Sequence, residues 1–175
     1  MTDEELIARL ELCPHVEGGF YRQTYRAGWS VELDDRPGRE RLGMTSIFYL
    51  LNRRSPIGYF HRNRSDIFHC FQLGSPLVYL ALDSAGRLTR HTLGPDVSRG
   101  HLLQLVIPGG TWKATFLAEG AFGLVSEIVA PGYDDRDCEI ASREQMQASF
   151  PHLWPSIERF VAPVAPTARE ARDGD

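Results

Sequence analysis

The chain has 175 residues, of which 42% are hydrophobic and 24% are charged, and this composition predicts one globular domain with a sizeable core. Lys and Arg number 19 against 23 Asp and Glu, giving a formal net charge of -4, and no basic run occurs. We therefore expect no nucleic-acid partner. No apolar run reaches the length of a membrane span and the acidic beginning does not match a secretory signal, so we expect a cytoplasmic protein without a membrane partner.

The cysteines lie at positions 13, 70 and 138, an odd number of widely spaced thiols without a CxxC pair. This pattern does not suit a disulfide framework and agrees with a reducing compartment. We expect the three side chains to serve in packing.

The predicted elements begin with a short amphipathic helix over residues 1–13, where apolar residues recur at helical spacing until Pro14 ends it. From Gly18 the period changes to two, which predicts a strand with one buried face. Residues 30–43 are charged and contain Pro and Gly. They predict an exposed loop or mobile hairpin, with a lid over a site as the alternative.

Short strand-like runs follow at fairly regular intervals, separated by turns rich in Gly, Pro and Asp. Together with the first strand they predict an antiparallel all-β barrel or sandwich over residues 14–140, in a single domain. A helical segment is expected over 141–160 and a disordered tail over 161–175. The runs are MTSIFYLL, IGYFHR, DIFHCFQL, PLVYLAL, RLTRHTL, LLQLVIP, WKATFLA and FGLVSEIVA.

Two segments resemble the two sequence motifs of the cupin superfamily: GYFHRNRSDIFHCFQLG at 58–74 resembles the first, and VIPGGTWKATFL at 106–117 resembles the second. The stretch HVEGGFYRQTYR at 15–26 is similar to the beginning of one cupin family, known as DUF985 or Cupin_5. Further matches, TSIFYLL, GSPL and APGYDDRDCE, follow in the expected order. A resemblance that extends over most of the chain is more specific than any single motif.

This resemblance implies an all-β cupin fold, a jelly-roll barrel or double-stranded β-helix with short flanking helices at the termini. Such a barrel encloses a pocket, so we expect a small-molecule partner. Related cupins commonly pair their barrels through edge strands, and the aromatic-rich segment GGFYRQTY would suit such an edge. We therefore also expect a homodimer.

Metal-binding cupins hold their ion with four ligands, three His and one Glu, and the resemblance implies where these positions lie in this chain. The corresponding positions here are His61, Asn63, Ile67 and Lys113, so three of the four ligands are missing. Ile67 cannot coordinate a metal, and a charged Lys113 would repel a cation. We therefore expect no metal and no other cofactor. A makeshift site from His61, His69 and one carboxylate is the fallback.

Three residues are the predicted catalytic groups. His61 would abstract or relay a proton next to a carbonyl, and Lys113 would stabilise the enolate or bind a carboxylate. A Schiff base on Lys113 is a further option, and a salt bridge with Glu127 is its structural alternative. His69, two residues after Ile67 on one strand face, would return the proton or serve as a structural histidine.

Further polar residues are predicted to bind substrate. Gln104 stands beside the Pro-Gly-Gly turn that leads to Lys113, and if that turn closes a hairpin the two side chains lie side by side. We therefore predict that Gln104, Lys113, His61 and His69 converge in one cavity. Polar residues of the 15–26 stretch would line the pocket mouth. The full predicted set is Glu17, Tyr21, Gln23, Asn63, Gln104 and Glu127, with Tyr25 also at the mouth.

Three functions stay open at this point. The polar residues favour a metal-independent enzyme that transfers protons on a small polar or carbonyl-containing metabolite, as an isomerase, epimerase, cyclase or lyase. A non-catalytic small-molecule binding protein is the alternative, because fold alone does not fix function. A metal-dependent cupin that uses His61 and His69 is disfavoured by the missing ligands.

Overall fold

A computed structural model describes residues 1–163 of the chain. Within this range it contains three α-helices, α1 (Asp3–Arg9), α2 (Arg143–Ser149) and α3 (Trp154–Ile157), and three single turns of 3-10 helix. The strands are β1 (Cys13–Pro14), β2 (Phe20–Arg26), β3 (Ser30–Glu32), β4 (Glu40–Leu42), β5 (Thr45–Asn52), β6 (Ile57–Asn63), β7 (Asp66–Gly74), β8 (Leu77–Leu82), β9 (Leu88–Leu93), β10 (Gln104–Ile107), β11 (Trp112–Leu117), β12 (Phe122–Ala130) and β13 (Cys138–Ile140).

Two antiparallel sheets pack face to face and form the barrel. One has the strand order β1-β2-β5-β12-β7-β10 and the other has the order β13-β6-β11-β8-β9. Their inner faces share an apolar core, to which Tyr49 and Val125 contribute from the first sheet and Leu77 and Tyr79 from the second. The predicted all-β architecture is therefore confirmed. No helix within residues 1–163 has the length and apolar character that crossing a membrane requires.

Helices pack on part of the outer face of each sheet. Helix α1, which is capped by the side chain of Thr2, packs Leu6 against the six-stranded sheet near Leu50 and Leu124. At the other side, α2 and α3 cover the five-stranded sheet, where Trp112 and its outward-facing neighbours form a second core with the helices. This second core also contains Val161, and Ala162 is buried as well.

The predicted tail over 161–175 therefore does not begin at residue 161, and the rest of it, from 164 onwards, lies outside the described residues. The physical reason is that the chain still contributes apolar side chains to the second core after α3 ends. Burial of those side chains offsets the entropy of ordering the backbone that carries them.

The hairpin of β3 and β4 is anchored to one end of the barrel instead of being a free loop. Arg41 is 2% exposed, and its guanidinium donates from two nitrogens to the two carboxylate oxygens of Asp137 at 2.9 and 2.8 Å. Arg36 donates to the same carboxylate at 2.8 Å and to the carbonyl oxygen of Arg64 at 3.1 Å. Charge-assisted bonds of this kind hold the hairpin against the barrel, whereas most of its other residues are exposed, as expected for an exposed loop.

The turn at 108–110 joins the two sheets and does not close a hairpin. Strand β10 pairs with β7 in the six-stranded sheet, whereas β11 pairs with β6 and β8 in the other. The predicted neighbourhood of Gln104 and Lys113 was therefore wrong. Gln104 is exposed on the outer face, because the alternation of β10 turns Leu105 and Ile107 inward.

Candidate functional site

The inner face of β6 supplies the first candidate residues. Phe60 packs outward into the second core and the Arg62 guanidinium stacks on the outward-facing Trp112 ring, so alternation turns His61 and Asn63 into the barrel. Both inward residues are buried, with 5% and 3% of their surface exposed. The strand pattern predicted from the sequence therefore positions these two side chains as expected.

A tight turn before β2 brings Glu17 opposite His61. Gly18 and Gly19 have φ values of +95° and +77°, a region that favours glycine, and a Cβ on Gly18 would lie 2.1 Å from the Ile57 carbonyl oxygen. The Tyr49 hydroxyl donates to the Gly18 carbonyl at 2.8 Å, and the Tyr59 N–H donates to the Glu17 carbonyl at 2.7 Å. The turn is thus fixed against β6, and the Glu17 side chain points into the barrel.

The tautomer of His61 follows from its contacts. Its Nδ1 lies 2.8 Å from the carbonyl oxygen of Tyr59, which can only accept, so Nδ1 carries the hydrogen. In the neutral ring, Nε2 then bears the lone pair, and this atom lies 3.2 Å from Oε2 of Glu17. Burial lowers the pKa of His61 to about 4, although Glu17 opposes this shift. At neutral pH, Nε2 is therefore a free proton acceptor whose protonated form would meet a carboxylate.

Glu17 is a buried carboxylate that no lysine or arginine of residues 1–163 pairs with. Cys138 donates its thiol hydrogen to Oε1 at 3.5 Å, and burial raises the pKa of that thiol well above its ordinary value. On the other side, Nδ1 of His15 lies 3.6 Å from Oε2 and accepts the Glu17 N–H at 3.2 Å. Burial lowers the pKa of His15 to about 4, so this ring too is neutral at pH 7.

These groups line a cavity of about 520 Å³ at the end of the barrel, a volume typical of small-molecule sites. The wall near its opening includes Arg26 and Asp134, of which Asp134 pairs with Arg136. Of the predicted site residues, six line the cavity: Glu17, Tyr21, Gln23, His61, Asn63 and Glu127.

Lys113 and His69 lie behind Glu127 and do not line the cavity. The Lys113 Nζ donates to Oε2 of Glu127 at 2.8 Å, and Nδ1 of His69 lies 3.3 Å from Oε1. We call these three residues the lysine network. Burial alone would raise the pKa of Glu127, but Lys113 and His69 bring it well below its ordinary value. Burial, reinforced by Lys113, lowers the pKa of His69. The network is therefore an ion pair beside a neutral imidazole.

Besides Lys113 and His69, two further predicted residues lie outside the cavity. Gln104 is exposed on the outer sheet face, as described above. Tyr25 is 46% exposed, because the register of β2 against β5 shifts between Gln23 and Tyr25. Such a bulge reverses which side of the strand faces inward, and Arg26 lines the cavity in place of Tyr25.

Among the residues that line the cavity, His15, Cys138 and Arg26 were not predicted as site residues. His15 and Cys138 contact Glu17, and Arg26 reaches the cavity through the bulge. For His15 a signal existed, since it opens the HVEGG segment that precedes the first strand and is two residues from Glu17. For Cys138 and Arg26, nothing in the local pattern indicates an inward direction.

The residues at the metal-ligand positions of the superfamily do not fit a metal ion. Ile67 offers no donor atom and Lys113 places an ammonium group beside Glu127. The two histidines of the fallback metal site contact different carboxylates: His61 faces Glu17, and His69 faces Glu127. Residues 1–163 contain no group of three or more His, Cys, Asp or Glu side chains that could hold a metal. No step of the chemistry below therefore involves a metal.

Comparison with known proteins supports a single family. The family described as Cupin superfamily (DUF985) matches residues 4–141. An uncharacterised protein of Saccharomyces cerevisiae, YML079W, is 34% identical over 148 residues, which cover 77% of this chain and 72% of the yeast protein.

Two solved structures agree with this assignment. A hypothetical protein from Leishmania major has a TM-score of 0.86 and 32% identity, covering 92% of this chain and 99% of its own. A protein from Shewanella oneidensis has a TM-score of 0.85 and 30% identity, covering 94% and 99%. The chain belongs to the cupin superfamily, in the family DUF985.

Proposed function

We propose that the protein is a metal-independent cupin enzyme that transfers protons on a small polar, carbonyl-containing metabolite, with an isomerase, epimerase, cyclase or lyase outcome. The observation that carries the proposal is the position of His61 Nε2, which is unprotonated, faces the cavity and lies 3.2 Å from the Glu17 carboxylate. A buried neutral imidazole beside a carboxylate is suited to general base catalysis.

The proposed step begins when Nε2 of His61 takes a proton from a carbon next to the substrate carbonyl. The electron pair of that C–H bond moves into a new carbon–carbon double bond, and the carbonyl oxygen becomes an enolate oxygen. The resulting imidazolium is stabilised by Glu17 at 3.2 Å. His61 then returns the proton to a neighbouring carbon, to a leaving group or, once the enolate has turned over in the cavity, to the other face of the same carbon.

The predicted catalytic roles of Lys113 and His69 are replaced by a positioning role in this proposal. The Lys113 ammonium is committed to Glu127, and neither Lys113 nor His69 lines the cavity. A Schiff base would require a neutral lysine that reaches the substrate. We therefore assign to the lysine network the task of fixing the Glu127 carboxylate in the cavity wall.

Hydrogen–deuterium exchange tests the proposal without knowledge of the natural substrate. The protein is incubated in D2O with dihydroxyacetone, glyceraldehyde or pyruvate, and NMR follows loss of the C–H signals next to the carbonyl. We expect at least one compound to exchange faster with the wild-type protein. His61→Gln should lower that excess rate at least about 100-fold, as removal of a general base does. Glu17→Gln should lower it less.

The matched control is His152→Asn, which changes an exposed histidine that does not line the cavity. This variant should exchange like the wild type. Equal exchange by wild type and His61→Gln would contradict the proposal. Binding of these compounds without any exchange would favour the alternative, a non-catalytic small-molecule binding cupin.

A further inference from the structure

Asn63 occupies the position on β6 that lies two residues after His61, on the same inner face. Its backbone is held on both sides, because its carbonyl accepts the Gly110 N–H at 2.7 Å and β13 pairs with it through Cys138. The side chain is 3% exposed and lines the cavity. Asn63 and His61 therefore both contribute to the wall of the same cavity.

The orientation of the Asn63 amide is fixed by chemistry. The backbone N–H of Ser65 lies 2.8 Å from the side-chain oxygen of Asn63. A backbone N–H can only donate, so the atom that faces it must be the oxygen, and the amide cannot be turned over without losing this bond. The NH2 group of Asn63 is consequently the end left for another partner.

That NH2 group has no hydrogen-bond acceptor among residues 1–163, although it is buried. Within residues 1–163, the other buried polar side-chain atoms without a hydrogen bond belong to Tyr79 and to His69, whose Nδ1 has only the 3.3 Å contact with Glu127, and neither residue lines the cavity. A buried donor left unpaired is destabilising, and a ligand oxygen that enters the cavity and accepts from it would remove that cost. Asn63 thus combines a cavity position, a fixed orientation and an unused donor.

The charges that line the cavity favour a neutral ligand oxygen over an anionic one. The carboxylates of Glu17 and Glu127 line the same cavity, and the nearby ammonium of Lys113 is already bound to Glu127. An anionic ligand group beside Asn63 would therefore face two carboxylates, whereas Arg26, a cation of the cavity wall without a carboxylate partner among the described residues, is an exposed residue near the opening. A neutral carbonyl oxygen accepts from an amide without this penalty, and the same bond strengthens as the oxygen becomes an enolate.

We infer that the cavity takes ligands with a neutral ketone or aldehyde group, whose oxygen is bound by the side-chain NH2 of Asn63 beside His61. This inference rests on the proposed function, since it gives Asn63 the enolate-binding role that the sequence predicted for Lys113. It also names the reacting end of the substrate: a carbonyl oxygen at Asn63 and a C–H bond at His61.

The experiment uses dihydroxyacetone and glycerol, which differ only at the central carbon: it carries a ketone in dihydroxyacetone and a hydroxyl group in glycerol. Each is titrated into nitrogen-15-labelled protein to about 100 mM, a range that covers the millimolar affinity expected of so small a ligand. The side-chain NH2 signal of Asn63 is assigned by its loss in Asn63→Asp. We expect this signal to shift and saturate with dihydroxyacetone, and to move little with glycerol.

Two variants separate the donor from general effects of charge. Asn63→Asp keeps an oxygen for the Ser65 N–H but removes the NH2 donor, and should weaken dihydroxyacetone binding at least about tenfold. Gln104→Glu makes the same amide-to-carboxylate change on the outer sheet face and should leave binding unchanged. The backbone amide spectrum of each variant reports whether it is folded.

The inference is overturned if the Asn63 signal does not respond to dihydroxyacetone, if glycerol shifts it equally, or if folded Asn63→Asp binds as tightly as Gln104→Glu. Hydrogen–deuterium exchange distinguishes this failure from failure of the proposed function. A saturating shift of the Asn63 signal without hydrogen–deuterium exchange would support carbonyl binding at Asn63 and contradict the proposed enzyme activity. Exchange that depends on His61, without a shift of the Asn63 signal, would support the proposed enzyme activity and contradict carbonyl binding at Asn63.

Discussion

Two buried carboxylates in one barrel have different surroundings. Glu127 has the Lys113 ammonium on one oxygen and His69 beside the other, whereas Glu17 has a thiol donor and two neutral imidazoles. The lysine gives Glu127 a permanent countercharge and a low pKa. Glu17 has no such partner, so a proton arriving on His61 supplies the missing positive charge. The comparison indicates a structural role for Glu127, whereas in the proposed mechanism Glu17 stabilises the protonated His61.

The largest effect should follow from breaking the lysine network. Lys113→Met leaves Glu127 as a buried charge without its cation, and we expect a loss of about 3–5 kcal/mol in the free energy of unfolding. The double variant Lys113→Met with Glu127→Met removes both charges and should recover most of this loss. Urea unfolding at pH 7 measures all three proteins.

The control for this experiment is an exposed pair. The Arg87 Nε lies 3.1 Å from Asp83, but the side chain of Arg87 is 78% exposed, so Arg87→Met should change stability little. If Lys113→Met were no more destabilising than Arg87→Met, the network would not be the structural element described here. Equal instability of the single and double variants would point to a packing defect instead.

A smaller effect concerns the neutral histidines around Glu17. The pKa of both His15 and His61 is about 4 in the folded protein, below the ordinary value of 6.5. Between these values the unfolded chain binds protons that the folded protein does not, so stability falls as the pH is lowered from 6.5 towards 4. Each histidine should contribute a loss of about 2 kcal/mol by pH 5. Unfolding curves at pH 7 and pH 5 measure it.

His61→Gln should reduce this acid sensitivity by one histidine's share, whereas the exposed control His152→Asn should not alter it. His69 of the lysine network adds to the same acid sensitivity, because its pKa is also lowered. Glu127 contributes in a different window. Because the pKa of Glu127 is lowered, its stabilisation is present above the ordinary carboxyl pKa and is lost only in stronger acid. If His61→Gln lost as much stability between pH 6.5 and pH 5 as the wild type does, this result would contradict the proposed difference between Glu17 and Glu127.

Much of this arrangement could be predicted from the sequence because it follows from strand alternation and motif order. The family resemblance and the period of two were sufficient to turn His61, Asn63 and Lys113 inward. The bond between Lys113 and Glu127 had been considered as the structural alternative, and the structure contains it. Alternation tells which face a residue occupies, but not how deep it lies behind another side chain, so Lys113 and His69 could not be placed behind Glu127.

Other features depend on tertiary geometry that leaves no local pattern. The bulge in β2 exchanges Tyr25 for Arg26, and the turn at 108–110 crosses between sheets. Arg41 looked like part of a charged loop until its partner Asp137, 96 residues away, accounted for its burial. The homodimer stays a prediction; Phe68 and Val106, both about 40% exposed on the outer face of the six-stranded sheet, are where a partner subunit would be sought.

The smallest expected effect is that the purified protein retains little metal. Retained metal would contradict the separate roles of Glu17 and Glu127. A metal held by His61 and His69 would join the two sites that the structure keeps apart, since each histidine faces a different carboxylate. The ammonium of Lys113 beside Glu127 opposes a cation there, and Ile67 replaces an oxygen ligand. Elemental analysis after brief chelator treatment should therefore give far less than one equivalent of zinc, iron, manganese or nickel. Near-stoichiometric metal, lost in both His61→Gln and His69→Gln, would make the two histidines ligands and replace the acid–base proposal.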